Sequence, residues 1–98
     1  MATGLGTAEI NFGAFPGTNE AQVTVTGQSA ISATSKAEAW IMADDTTADH
    51  TASDHRYADC FIGLTCGTPS GGSGFTIYAR TAEHTLDGRY AVRWVWAD

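Results

Sequence analysis

Arg89-Tyr90-Ala91-Val92-Arg93-Trp94-Val95-Trp96-Ala97-Asp98 is the stretch that decides the fold of this 98-residue chain. Read with a period of two, Tyr90, Val92, Trp94 and Trp96 fall on one side, and Arg89, Ala91, Arg93 and Val95 on the other. A strand with three large aromatics on one face must bury that face, and arginines opposite forbid a core on both sides. The arrangement that satisfies both is a strand within one sheet of a two-layered β-domain.

Working outward, Phe75-Thr76-Ile77-Tyr78-Ala79-Arg80-Thr81 is a second strong strand, with Phe75, Ile77 and Ala79 facing in. Asp87-Gly88 is a hairpin signal, so this strand and Arg89–Trp96 are expected to be antiparallel neighbours. Ala8–Phe12 alternates with Ile10 and Phe12 inward, and Ala21–Thr26 with Val23 and Val25 inward. Lys36–Ala43 mixes helix formers with Trp40 and Ile41. We read it as a strand, because eight residues make a marginal helix and its neighbours are strands. Cys60–Cys66 reads as another strand, followed by the glycine-rich turn Gly67–Gly74. Six strands result, in a compact antiparallel β-sandwich of the all-β class spanning residues 8–98 as one domain. Residues 1–7 show no apolar period and read as an arm that is flexible or ordered by a partner.

Composition narrows the function. A net charge of −6, with five Lys and Arg in all, argues against nucleic acid and against anionic membrane surfaces. No apolar run approaches the eighteen residues of a membrane span. Met-Ala-Thr-Gly-Leu-Gly lacks the basic and apolar regions of a signal peptide, so a soluble protein made in a cytoplasm and not exported by that route is expected. Cys60 and Cys66 share a parity; in one continuous strand their Cα atoms would lie roughly 20 Å apart. A disulfide needs less than about 7 Å, so they read as small buried hydrophobes, as one half of a bridge between subunits, or, if the strand is broken, as an intrachain pair.

Three constellations deserve a chemical reading. Asp44, Asp45, Asp49, His50, Asp54, His55 and Asp59 crowd oxygen and imidazole ligands into a long loop, Asp44–Asp59. Their spacing fits no calcium loop and gives a zinc site no convergent set, so we expect a solvated loop, no metal and no cofactor. Tyr78, Arg80, Arg89 and Arg93 would share the outer face of the C-terminal hairpin, where a subunit interface is the leading reading. Catalysis is not expected. No Gly-x-Ser-x-Gly elbow, paired Cys and His, paired carboxylates or phosphate cradle is present.

The segments Gly74–Ala79 and Tyr90–Ala97 resemble the closing hairpin of H-type lectin domains, which pairs a Gly-Phe-Thr strand with a final Val-x-Trp-x-Ala strand. That resemblance implies a six-stranded antiparallel sandwich, a homotrimer and a sugar-binding surface. Across its length, through Ile10–Glu20 and Val23–Gln28, the chain also looks like small structural proteins of tailed bacteriophages. The expected function is therefore a non-enzymatic virion protein that decorates the capsid or forms part of a head or tail fibre as a homotrimer. Its expected partners are copies of itself and other virion proteins, with a host-surface glycan as a further one. The alternative is a lectin-like carbohydrate-binding module for host attachment, with Trp40, Asp49, His50 and Tyr57 contacting the sugar.

Overall fold

A computed structural model describes residues 2–42, 44, 50–81 and 85–98. Among them run six strands and one helix: β1 (Thr3–Asn11), β2 (Glu20–Val25), β3 (Lys36–Ile41), α1 (Ala52–Ala58), β4 (Ile62–Cys66), β5 (Phe75–Thr81) and β6 (Arg89–Ala97). The strands form two antiparallel three-stranded sheets in the orders β1-β6-β3 and β2-β5-β4. The chain is thus all-β, with the two sheets packed face to face.

The two most regular strands of the sequence occupy the two sheet centres. β6 buries Tyr90, Val92, Trp94 and Trp96, and β5 buries Phe75, Ile77, Ala79 and Thr81. These inward faces meet across the sandwich, where the Phe75 and Trp94 rings cross edge to face at 5.5 Å. Ile10 and Phe12 from β1 and its exit, Val25 from β2 and Ile62 from β4 complete the core. Each fully buried side chain of this size contributes about 1.5–3 kcal/mol.

Here the structure departs from the expected hairpin. β5 and β6 belong to opposite sheets, because Asp87-Gly88 turns the chain across the sandwich rather than back along one sheet. Gly88, at φ 76°, donates its N–H to Gly13 O and accepts from Phe12 N–H. Leu86 exchanges two backbone bonds with Thr18. The 85–88 segment therefore pairs with the β1–β2 connection and not with β5.

The expected N-terminal arm is also replaced by structure. Thr3–Thr7 are the first half of β1 and pair with Arg93–Ala97. Gly4 lies opposite Trp96 and Gly6 opposite Trp94. A Cβ on Gly6 would sit 2.5 Å from Trp94 Cζ2, and one on Gly4 would sit 2.7 Å from Trp96 Cε2. The inward positions of this half-strand are empty because two indoles fill them. Beyond the strand, Asp98 accepts Ala2 N–H and the Ser35 hydroxyl on its carboxylate, and Asp98 N–H returns to Ala2 O.

The expected loop Asp44–Asp59 contains α1. Thr51 caps it: its hydroxyl accepts Asp54 N–H while the Asp54 carboxylate accepts Thr51 N–H. A seven-residue helix is marginal alone, and His55 anchors this one. His55 is fully buried, Nδ1 bonding Thr51 O at 2.7 Å and Nε2 accepting Ala91 N–H at 2.8 Å. Ala91 also takes Met42 N–H on its carbonyl, one residue past the end of β3. The imidazole thus occupies the place a longer β3 would have taken. Neither cysteine is in a disulfide; Cys66 is half-buried at the end of β4, and Cys60, expected to be buried, is exposed before it.

Candidate functional site on the outer sheet faces

Because β5 and β6 are in different sheets, Tyr78 and Arg80 project from the outer face of β2-β5-β4, and Arg89 and Arg93 from that of β1-β6-β3. The four residues expected on one surface lie on opposite sides of the sandwich.

On β1-β6-β3, the register sets Arg93 between Thr7 and Trp40, Val95 between Leu5 and Glu38, and Ala97 between Thr3 and Lys36. Leu5 is 59% exposed and Trp40 42%, although both belong to the most apolar residue types in the chain. Leu5, Val95, Trp40 and the Arg93 stem make a contiguous patch at the centre of this face. Its ions are Lys36, Arg89 and Arg93 against Glu9 and Glu38, so three of the five cations of a −6 chain gather here. Round the β3 edge the face continues into a hollow of about 450 Å³ between Glu38, Trp40, Leu64 and Cys66. Burial pushes the Cys66 thiol up from its ordinary pKa, with Glu38 adding to the shift, which keeps it protonated and unreactive.

On β2-β5-β4, the outward rows are Glu20, Arg80 and Gly63, then Gln22, Tyr78 and Thr65. Arg80 donates to the Glu20 carboxylate across the strands. Tyr78 is 45% exposed, with one ring edge close above Gly67. A hollow of about 490 Å³ opens between Phe61, Gly63, Thr65, Tyr78 and the Glu20–Arg80 pair.

The residues expected to contact sugar are not brought together. Trp40 is on the opposite sheet face. Asp49 lies outside the described residues, as do Asp45 and the other residues of 45–49. His50 is committed within the fold: Nε2 bonds Asp87 O at 2.7 Å, Nδ1 stands 3.4 Å from Asp54, and the ring stacks on Tyr90 at 4.0 Å. The backbone N–H of Thr51 holds the Asp54 carboxyl below its usual pKa, and His50 adds to this. Tyr57, 69% exposed on α1, meets Phe61 edge to face at 5.0 Å, and Phe61 in turn lines the hollow by Tyr78. Among the described residues no three of His, Cys, Asp and Glu converge as metal ligands would. No helix of the described residues is long and apolar enough to cross a membrane.

Sequence reasoning missed Leu5 and Val95 on one face, and Glu20, Phe61 and Gly63 on the other. Gly4-Leu5-Gly6 did carry a signal, since a large residue alternating with glycine places one side chain per repeat, and that one faces out. Nothing comparable marks Gly63, whose value lies in the side chain it lacks beside Arg80. Searches against protein-family models, curated proteins and solved structures give no match to this chain.

Proposed function

We propose that the chain is a non-enzymatic structural protein that assembles with copies of itself through the outer face of β1-β6-β3. The observation that carries this reading is a patch at the centre of a sheet face in which Leu5 and Trp40 are exposed beside half-buried Val95 and Arg93. Trp and Arg are the residues most often found at the energetic centre of protein interfaces, and exposed apolar patches rimmed by polar groups mark contact sites. Charge points to a second copy as the occupant. Two chains of −6 repel one another in general, yet this face holds three cations against two carboxylates. Its near balance of sign leaves a like copy little repulsion there, and Glu9 and Glu38 offer partners to a neighbour's Arg93.

Surface contact of this kind is what a virion accessory protein requires, whether it decorates a capsid or builds a head or tail fibre. A homotrimer is the assembly we assign to it. Among the described residues, His50 and His55 are the groups best suited to proton transfer, and their nitrogens are engaged with Asp87, Asp54, Thr51 and Ala91, which supports a role without catalysis. The reading is tested by sedimentation velocity on the protein and on Leu5→Ser/Trp40→Ser. The parent should sediment at three times 10.3 kDa and the double variant as a folded monomer. A parent that stays monomeric at roughly 100 μM, far above a typical micromolar Kd, would remove it.

A further inference from the structure

The buried imidazole of His55 ties the cap of α1 to the sheet through two hydrogen bonds, and we propose that it is an acid-sensitive latch. Neutral, it pins α1 to β6; protonated, it lets the helix go and opens the strand edge at Ala91. The device belongs to the fold of a single copy and is independent of self-assembly.

The two bonds fix where the hydrogen of the ring sits. Thr51 O can only accept, so Nδ1 carries it; Ala91 N–H can only donate, so Nε2 is bare. A proton added at Nε2 would set N–H against N–H across 2.8 Å, with both His55 and Ala91 buried. An unpaired charge held away from water costs far more than one hydrogen bond contributes. The helix has little else to hold it. Of its seven residues only His55 and Ala58 are buried, so the alternative to a buried cation is a local opening in which the imidazole is hydrated.

Among the described residues, the titratable groups around the ring are His50, Asp54, Asp87 and Tyr90. His50, its ring centre 6.4 Å away, works in the opposite sense. Its Nε2–H donates to Asp87 O and its Nδ1 faces the Asp54 carboxylate at 3.4 Å, so a proton on His50 favours the docked helix. Asp54 directs its carboxylate to Thr51 N–H and His50, and the Thr51 bond above all holds its pKa low enough to keep it ionised where imidazoles titrate. Tyr90 meets His55 edge to face at 5.3 Å; burial, then Asp87 and Asp54, push its hydroxyl up, so it stays neutral. Neither nitrogen of His55 faces a carboxylate that could pair with its charge. A proton that only the released form accepts favours release. Docking is therefore complete above about pH 7 and weakens as pH falls through about 6.5, where a hydrated imidazole titrates.

The test is amide hydrogen exchange of ¹⁵N-labelled protein at about pH 7.5 and 5.5, corrected for the intrinsic pH dependence of exchange. Over that interval the opening constant at Ala91 and 52–58 should rise about tenfold more in the parent than in His55→Gln, since the effect of His50 is common to both. His50→Gln keeps His55 and removes the opposing imidazole, so it should show the tenfold rise by itself. Imidazole ¹⁵N shifts at pH 7.5 should report Nδ1–H and a bare Nε2 at His55. The amides of Ile77 and Trp94 in the core should not follow, which separates release of the helix from global unfolding. The same pH response in the parent and His55→Gln would overturn the proposal. So would a flat response in His50→Gln, or opening at Ile77 and Trp94 in step with α1.

Discussion

Trp94 shows how much a single side chain decides in this fold. Its ring crosses Phe75 between the sheets, fills the space over Gly6, and keeps Nε1 buried with no hydrogen-bond partner among the described residues. Removing the ring should cost about 3–5 kcal/mol, a large part of the 5–15 kcal/mol that stabilises a domain. Trp94→Ala should therefore be mostly unfolded at 37 °C by circular dichroism. Trp94→Phe keeps the aromatic contact and deletes the orphan donor, so we expect it within about 1 kcal/mol of the parent in urea denaturation. The reciprocal change, Gly6→Val, drives methyl groups into the indole and should cost about 1–3 kcal/mol. The inward aromatics and outward arginines of β6 were legible from alternation alone. Gly4-Leu5-Gly6 was misread as an arm, because a strand that makes room for its neighbour's side chains has no apolar period of its own and signals only by alternating glycine.

At the scale of elements, the expected strand at Lys36 and the six-strand count hold, while pairing and the single helix were misread. Asp87-Gly88 is a sound turn signal, but a turn fixes only local direction. Whether the chain re-enters the same sheet or the opposite one depends on long-range bonds such as Gly88 with Gly13 and Phe12. α1 did announce itself, since Thr51-Ala52-Ser53-Asp54 has the spacing of a capping box. The aspartates around it disguised a helix held by its cap and by one histidine. His55→Leu should strip the acceptor from Ala91 N–H and the donor from Thr51 O, costing about 2 kcal/mol or more. Hydrogen exchange should then accelerate at Ala91 and through 52–58.

Two carboxylates tie element ends together in the same way. Asp98 is held below its ordinary pKa of 3.8 by the Ser35 hydroxyl and then by Ala2 N–H, and Asp54 by Thr51 N–H. Both bind protons less readily folded than unfolded. Their contribution is complete above the unfolded value and lost as pH falls through the lower folded values. Urea midpoints should fall as the pH drops below about 4, with a smaller fall in Asp98→Asn.

For the whole molecule, the sandwich offers two outer faces of unlike character, and separating β5 from β6 is what made them so. A hairpin would have merged Tyr78, Arg80, Arg89 and Arg93 into one cationic surface. The two-sheet topology gives one face a Trp–Arg–Leu patch and the other a tyrosine beside a neutralised ion pair. Composition could place the arginines outside, but only topology could say which side each one faced. We place the contact between copies on the β1-β6-β3 face, with Arg93 at its middle. Sedimentation equilibrium of Arg93→Glu against the parent tests this most directly, with circular dichroism on the same samples to establish the fold. A parent mass three times 10.3 kDa and a folded 10.3 kDa variant are expected. An Arg93→Glu protein that assembles as the parent does would contradict it.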